Sequence, residues 1–217
     1  MTDRPEPKKT RRRLPRNQRE AMIIAEAIRF FAEVGFEGQT RALAQRLGVT
    51  QPLLYRYFPD KDSLIDRVYQ EVFLKGWNTE WTTALSDRAI PLVDRLIEFY
   101  RVYTHANFSY ERVRLFMFAG LKDESIANRY MAHVHHSLFI PLCREMRSEA
   151  GVERAADVTP LEIEMVAALH GAIGYIGLRR WVFQTEAGAN LDDVVAQTVR
   201  AYLTGMIPAF RAIAAKP

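Results

Sequence analysis

Cysteine is nearly absent from this chain of 217 residues, and no run of about 18 apolar residues occurs in it. The single cysteine, Cys143, excludes an internal disulfide framework and is typical of proteins in a reducing cytoplasm. Its apolar helical context favours an inert buried thiol. The basic N-terminus lacks the apolar stretch of a secretory signal. We therefore expect a cytoplasmic protein without a membrane span.

Motifs of the common enzyme classes are also missing. The sequence has no glycine-rich phosphate loop, no nucleophile elbow and no cysteine pair. On a helix, His133 and His136 could share a metal ion, but His135 would point away from them. No carboxylate accompanies them at a metalloenzyme spacing. We expect neither enzyme activity nor a cofactor, and stoichiometric zinc with hydrolytic turnover would reverse that expectation.

Alternating strand patterns and internal repeats are absent as well, which leaves helical periodicity as the main signal. It predicts an all-α protein of about nine helices. They are expected at 17–34, as two short helices within 40–61, and at 61–81, 91–106, 110–120, 124–150, 160–184 and 190–214.

Positive charge is concentrated in the N-terminal third of the chain. Residues 1–70 hold 14 Lys/Arg against 9 Asp/Glu, whereas residues 71–217 hold 16 against 17. Residues 1–16, with 7 Lys/Arg against 2 Asp/Glu, account for all of this excess and contain three prolines, so they are expected to form a disordered basic arm. The distribution favours a polyanionic partner such as DNA, although the arm could equally be a solvated tail.

The stretch 40–61 has the pattern of a helix, a tight turn and a second helix. Leu43 begins an apolar stripe on the first helix, and Gly48 ends that helix where a left-handed backbone is needed. Thr50 is a good N-cap for a second helix that starts at Gln51. This helix-turn-helix pattern is a common means of placing side chains in a DNA groove.

The outward face of the second helix carries an amide, two phenols and a guanidinium. Leu54 and Phe58, four residues apart, are expected to face inward. Polar and aromatic groups on such a helix suit recognition of phosphates and base edges. The alternative is an ordinary helical hairpin with a solvated face, which the exposed aromatics make less attractive. The outward set is Gln51, Leu53, Tyr55, Arg56 and Tyr57.

These residues resemble the DNA-binding unit of the tetracycline-repressor (TetR) family of bacterial transcription regulators. The resemblance runs from about Gln18 to about Val72 and includes Gly48-Val49-Thr50, Leu54-Tyr55-x-Tyr57-Phe58 and Lys61-x-x-Leu64. It implies a homodimer whose two recognition helices bind a palindromic operator in double-stranded DNA. It also implies a divergent C-terminal domain that binds a small effector and then releases the DNA.

The DNA contacts of the family are carried over position by position. The resemblance places Thr50, Tyr55, Tyr57 and Lys61 at phosphates, and Gln51, Pro52, Leu53 and Arg56 nearest the bases. The family commonly has threonine and then an apolar residue where this chain has Gln39 and Thr40. We expect Gln39 or Thr40 to replace that phosphate contact, and we include Thr40 and Arg41 in the DNA-binding set.

The middle of the chain is rich in aromatic residues and contains all five histidines. Phenol and imidazole groups among aromatic walls suit a small, largely apolar ligand, although such stripes are also typical of a plain core. Tyr103 and His136 are the first candidates, because each joins an apolar body to a polar tip. The candidate ligand-binding set is Trp77, Trp81, Tyr100, Tyr103, Phe116, His136 and His170.

The helix expected at 160–184 contains three glycines spaced by three residues. A glycine inside a helix costs about 1 kcal/mol relative to alanine, so close approach of another helix is a natural reason for them. That neighbour can belong to a second subunit, in a four-helix bundle that includes 191–207, or to the same subunit. The candidate dimer-interface set is Gly171, Gly174, Gly177, Trp181, Val195 and Tyr202.

These patterns predict a basic arm (1–16), a helix-turn-helix DNA-binding domain (17–64) and an effector-binding and dimerisation domain (65–217). The boundary falls within the helix that begins at Lys61, which we expect Asp60 to cap without a capping box to Ser63. The predicted function is a dimeric repressor that a small, largely apolar ligand releases from DNA. The alternative is a DNA-binding regulator without an effector, controlled by a partner or acting as an activator.

Overall fold

The computed structural model describes residues 15–74, 79–122, 124–152, 157–185 and 188–214, and every regular element in these ranges is a helix. The prediction of an all-α fold is therefore confirmed. The helices are α1 (Arg16–Val34), α2 (Thr40–Arg46), α3 (Gln51–Tyr55), α4 (Lys61–Tyr69), α5 (Thr79–Ala84), α6 (Leu92–Asn107), α7 (Tyr110–Lys122), α8 (Glu124–Val134), α9 (Ile140–Glu149), α10 (Pro160–Trp181) and α11 (Leu191–Ala214).

Two of the predicted helices contain π turns. One π turn, Gln70–Leu74, continues α4, and the other, His135–Phe139, joins α8 to α9. A π turn inserts one residue into the helix, which rotates all later side chains by about 100° around its axis. The segment predicted at 124–150 is therefore present as α8, a π turn and α9, with a change of face between its two halves.

The first three helices form the helix-turn-helix unit. The turn after α1 has Gly35 at φ +78° and the turn after α2 has Gly48 at φ +62°, a left-handed conformation that glycine adopts at little cost. Leu43 and Leu54 are buried, as their spacing predicts. Thr50 occupies the N-cap position of α3, but its side chain makes no capping hydrogen bond.

The start of α4 corrects one expectation, because a capping box is formed there. The Ser63 amide donates to Asp60 Oδ1 (2.7 Å), and the Asp60 amide donates to Ser63 Oγ (3.3 Å). These reciprocal bonds satisfy two amide groups that the helix itself leaves unpaired. They fix the direction in which the chain leaves α3 and enters α4.

Two arginines fix the helix-turn-helix unit to the rest of the protein. Arg114 on α7 donates to the Ala32 carbonyl oxygen near the end of α1 (2.6 Å). Arg129 on α8 pairs with Asp66 on α4 (2.9 Å) and lies over the ring of Tyr69, 4.7 Å from its centroid. A single hydrophobic core runs across the predicted domain boundary. Movements of α7 or α8 therefore act directly on α1 and α4.

A buried ion pair joins α9 to α10. Arg147 donates through Nε and Nη2 to the two carboxylate oxygens of Glu162, with both distances 2.7 Å. The backbone N–H and the hydroxyl of Thr159 also donate to Glu162, at 2.7 and 2.8 Å. Burial alone would raise the pKa of Glu162, but the bonds from Arg147 and Thr159 lower it to about 2.

Replacing Glu162 with glutamine is expected to lower the free energy of unfolding by about 3–5 kcal/mol, because the charge of Arg147 stays in the interior without its carboxylate partner. The wild-type contribution should be complete above pH 4.5 and disappear as the pH falls towards about 2, since the carboxylate must be deprotonated to contribute. Urea titrations at a fixed protein concentration across this pH range measure both effects. Glu98→Gln, at an exposed site on α6, is the control and should change stability by less than about 0.5 kcal/mol. Equal losses in the two variants would contradict the prediction.

One helix, α10, is apolar but largely uncovered. It is long and apolar enough to cross a membrane, and 28% of its most apolar 18-residue window is buried. Interface helices have the same composition, so this is weak evidence for a membrane segment. The expectation of no membrane span stays a prediction. The exposed stripe of α10 consists of Leu161, Ala168, Gly171 and Tyr175.

Candidate nucleic-acid interface and ligand cavity

The surface around α3 presents most of the side chains that are predicted to contact DNA. Arg41, Thr50, Pro52, Tyr55 and Arg56 are exposed, and Gln51, Leu53, Tyr57 and Lys61 are half-buried. Tyr55 retains 37% of its surface. Phe58 and Leu54 are buried beneath them, as predicted. Helical spacing therefore separates the two faces, except that Tyr57, which is predicted to face outward, also packs against the core.

Hydrogen bonds among three side chains connect the recognition helix α3 to α2. Thr40 Oγ1 and Tyr55 Oη form a hydrogen bond of 2.9 Å, and Gln51 Nε2 donates to Thr40 Oγ1 at 2.9 Å. Gln51 Nε2 also lies 3.5 Å from Tyr55 Oη. This network fixes two surface side chains before any ligand arrives, which reduces the entropy lost on binding. The carbonyl oxygen of the Gln51 amide is left as an acceptor for a base amino group.

Thr40 does not occupy the position expected of a phosphate contact. It is 6% exposed, and its hydroxyl is engaged by Tyr55 and Gln51. Its role in this arrangement is to position those two side chains. Gln39 is exposed at the N-cap position of α2 without a capping side-chain bond. It remains the candidate for the contact that the family makes there.

Three cations flank α3 without an acidic partner among the residues that the structure describes: Arg41, Arg56 and Lys61. By contrast, Arg46 pairs with Glu33 and lies 5.5 Å from the centroid of the Phe30 ring. A cation that is already paired offers little to a phosphate, whereas an unpaired one keeps its full charge for that contact. The charge around α3 is therefore available to a polyanion.

A cavity of about 290 Å³ lies among α6, α7, α8, α10 and the two π turns. Its volume is close to the lower end of the range for ligand pockets, about 300 Å³. Several polar side chains line this cavity, which distinguishes it from an ordinary hydrophobic core. The apolar wall consists of Phe73, Phe108, Val113, Phe116, Phe139 and Leu178, and the polar groups are Tyr103, Asn107, Arg112, Tyr130 and His170.

A second, larger cleft of about 720 Å³ opens between α6, α10 and α11. Its rim includes Arg179, Arg180 and Gln184, all of which are exposed. A small, largely apolar ligand needs apolar walls, and the lining of the smaller cavity is the more apolar of the two. We therefore assign the candidate ligand site to the smaller cavity.

The predicted ligand-binding residues divide into four groups. Tyr103, Phe116 and His170 line the smaller cavity. Tyr100 is fully buried behind it, with its ring centroid 6.0 Å from that of His170. His136 is corrected, because it is exposed on the second π turn and does not line the cavity. Trp77 and the side chain of Trp81 lie outside the described residues.

A chain of polar groups runs along the cavity wall. Tyr130 Oη and Tyr103 Oη are 3.2 Å apart, and Tyr103 Oη lies 3.4 Å from His170 Nε2. Burial lowers the pKa of His170 to about 4, so its imidazole is neutral at pH 7. His170 Nδ1 is buried without a hydrogen-bond partner in the described part of the chain. The same part contains no group of three His, Cys, Asp or Glu residues that could hold a metal ion.

Sequence reasoning does not identify Arg112, Phe73 or Tyr130 as cavity residues. Arg112 belongs to the run Glu111-Arg112-Val113-Arg114, which has the appearance of a solvated charged segment. The orientation of Phe73 depends on the first π turn, which has no clear sequence signature. Helical spacing from His170 would not find them either, because they lie on other helices.

The glycines of α10 have different surroundings. A Cβ added at Gly171 or Gly174 would meet no atom within 4 Å, and both residues border the cavity. A Cβ added at Gly177 would lie 3.2 Å from Phe108 and from Val113. Gly177 therefore accommodates packing within one chain, which corrects its assignment to the dimer interface.

The remaining predicted interface residues also pack inside the protomer. Trp181 Nε1 donates to the Phe108 carbonyl oxygen (2.6 Å). Val195 is fully buried in the core, which corrects its assignment. Tyr202 is half-buried and packs against that core. The exposed stripe of α10 includes one predicted interface residue, Gly171, between Ala168 and Tyr175.

Comparison with known proteins gives a family for the N-terminal unit and a fold for the whole chain. The profile of the family described as "Bacterial regulatory proteins, tetR family" matches residues 23–68. The tetracycline repressor protein class C of Escherichia coli is 52% identical over 50 residues, which are 23% of this chain and 22% of that protein. A TetR-like transcriptional regulator from Rhodococcus sp. RHA1 is similar in structure, with a TM-score of 0.65 and 20% identity over 89% of this chain and 100% of the other. A tetR-family transcriptional regulator from Streptomyces coelicolor has a TM-score of 0.60 and 14% identity, over 92% of this chain and 90% of the other.

The sequence matches concern the N-terminal unit, whereas the structural matches concern the fold of the whole chain. The curated relative is matched over about a fifth of its length, and the family profile covers the helix-turn-helix unit. The structural relatives share the arrangement of helices at low identity. The motifs, the geometry of α1 to α4 and these matches agree, and residues 23–68 match the DNA-binding unit of the tetR family of bacterial regulatory proteins.

Proposed function

We propose that the protein is a homodimeric transcription repressor that binds a palindromic operator and leaves it when a small, largely apolar ligand occupies the cavity. One observation carries the proposal: α3 is held rigidly by the Thr40, Gln51 and Tyr55 network among unpaired cations. A prearranged helix with free cations suits a DNA groove better than it suits solvent. Operator binding also implies a cytoplasmic protein.

The DNA-facing residues have two kinds of role in this proposal. The first group holds the protein on phosphates without regard to sequence, and the second faces base edges in the major groove. Thr40 positions Gln51 and Tyr55 through its hydrogen bonds to both side chains. The phosphate group is Arg41, Thr50, Tyr55, Tyr57 and Lys61, and the base-facing group is Gln51, Pro52, Leu53 and Arg56.

A second copy of the chain would cover the exposed face of α10. Leu161 and Tyr175 are 56% and 52% exposed there, which is unusual for large apolar side chains on a helix of this composition. On α11, Ala201 and Gly205 are exposed one turn apart and permit close approach of another helix. Two such helix pairs would form a four-helix bundle. The two recognition helices would then be related by a two-fold axis, as a palindrome requires.

Contacts between α8 and α4 support a route from the cavity to the DNA. Phe73, in the π turn that continues α4, lines the cavity, and its ring centroid lies 5.4 Å from that of Tyr130. The neighbour of Tyr130, Arg129, pairs with Asp66 on α4. A ligand that displaces Phe73 or Tyr130 would therefore shift the balance between two positions of α4. The domains would be those predicted, with a boundary at 64/65 inside α4.

Selection of bound sites from random DNA duplexes tests the proposal. The expected result is a palindrome whose half-sites are separated by about 34 Å or a multiple of it. A ligand that fills the cavity should lower DNA affinity, and DNA should lower ligand affinity by the same factor. If no sequence is enriched, or if binding does not depend on the salt concentration, the DNA-binding role is contradicted. If no ligand releases the DNA, the alternative of a regulator without an effector is favoured.

A further inference from the structure

The guanidinium of Arg112 lies in the cavity wall without a counter-ion. Arg112 is half-buried in the first turn of α7, with its guanidinium carbon 5.9 Å from the centroid of the Phe73 ring. It forms no ion pair or side-chain hydrogen bond with any residue in the described ranges. Burial lowers the pKa of Arg112, but an arginine remains protonated at neutral pH. A positive charge therefore faces the cavity.

The two buried arginines in the described part of the chain, by contrast, are fully engaged. Arg95 donates to two backbone carbonyls and pairs with Glu145. Arg147 pairs with Glu162 through two bonds. A half-buried cation with no partner is unfavourable, because it loses hydration without gaining a hydrogen bond. Arg112 differs from them in lining the cavity.

The groups beside Arg112 are suited to receive an anion. Tyr103, Tyr130 and neutral His170 form a hydrogen-bonded chain that can be polarised from His170 Nε2–H through Tyr103 to the Tyr130 hydroxyl. The Tyr130 hydroxyl then donates towards the cavity. No acidic side chain is among the described residues that line it. An anion would meet donors and one cation there, and no like charge.

We propose that the cavity binds an apolar monocarboxylate, with its carboxylate paired to Arg112 and its body against the aromatic wall. The proposal deepens the proposed function, on which its regulatory meaning rests. A guanidinium matches a carboxylate through two parallel N–H···O bonds. One cation balances one negative charge, which favours a carboxylate over a phosphate dianion. The rings of Phe73, Phe116 and Phe139 would enclose the remainder of the ligand.

Calorimetric titration of the full-length protein with naphthalene-2-carboxylate and with the neutral naphthalene-2-carboxamide tests the proposal. The carboxylate is expected to bind at least about tenfold more tightly, since a hydrogen bond to a charged group is worth roughly that factor or more. Arg112→Met should abolish this preference by weakening the carboxylate alone. Arg101→Met, at an exposed site on α6 away from the cavity, is the matched control and should leave both affinities unchanged. Equal affinity for the two probes in the wild type, or no binding of the carboxylate, overturns the proposal.

The melting temperature without ligand gives a second readout. If Arg112 has no partner until an anion binds, Arg112→Met removes an unpaired charge. The melting temperature of the variant should then be unchanged or higher. If the guanidinium instead serves to pack over Phe73, the variant should melt several degrees lower, and that result overturns the proposal.

Release of an operator duplex, measured separately, distinguishes this proposal from the proposed function. Binding of the carboxylate through Arg112 without release of DNA supports the anion site and contradicts the effector role. Release of DNA by the carboxamide alone supports the effector role and overturns the carboxylate assignment.

Discussion

Replacement of Arg56 with alanine is expected to cost about 1–3 kcal/mol of operator affinity at each half-site and to remove the preference for one base there. Arg56 is exposed at the C-terminal end of α3 and has no acidic partner among the described residues. Its guanidinium is therefore free to form two hydrogen bonds with a guanine edge. A dimer loses the contact twice, so the affinity should fall by roughly thirtyfold at the least.

Lys61→Ala is the matched control for Arg56→Ala, because it removes a cation from the same surface without removing a base contact. It should weaken binding to all sequences alike and reduce the slope of log affinity against log salt by about one per half-site. Fluorescence anisotropy over a salt series gives both slopes, and a repeated selection gives the base preference. If Arg56→Ala selects the wild-type operator unchanged, Arg56 is a phosphate contact and its assignment is wrong.

The helix-turn-helix unit could be predicted closely because its determinants are local. Gly48 must adopt a positive φ, and the spacing of Leu43 and Leu54 decides which faces are buried. The hydrogen bonds of Thr40 could not be predicted, because they join residues up to 15 positions apart in the chain. The capping box between Asp60 and Ser63 is missed for a smaller reason. Serine is a less common partner in that motif than glutamate or glutamine.

The cavity shows where periodicity fails. His136 would share a face with His133 in an uninterrupted α-helix, but the π turn at His135–Phe139 changes the register after α8. Phe139 therefore faces the cavity, whereas His136 faces solvent. His170 is found by the sequence because α10 is regular throughout.

The glycines of α10 could not be assigned from their spacing alone. A glycine can make room for a second subunit, for a helix of the same chain or for a ligand, and the sequence is the same in each case. Gly177 makes room for Phe108 and Val113, whereas Gly171 and Gly174 border the cavity. The better indicator of a dimer interface is the exposed apolar stripe of α10, which becomes visible only when the core is known.

Ala168→Glu is expected to convert the proposed dimer into monomers. Ala168 is exposed in the middle of that stripe, one turn after Glu164, so a second carboxylate there would be buried against the partner without a counter-charge. In the isolated protomer the new side chain stays in water, and folding should change by less than about 0.5 kcal/mol. Gly174→Leu is a poorer test, because a larger side chain there would also enter the cavity.

Loss of the dimer should lower operator affinity by about 10²–10⁴-fold, because a monomer no longer gains the high effective concentration of a second linked recognition helix. Sedimentation velocity at micromolar concentration measures the association, and anisotropy with the selected duplex measures the affinity. Ala106→Glu introduces the same charge at an exposed position of α6 and should remain dimeric with wild-type affinity. If Ala168→Glu sediments as a dimer and binds the duplex like the wild type, the interface does not include this face of α10.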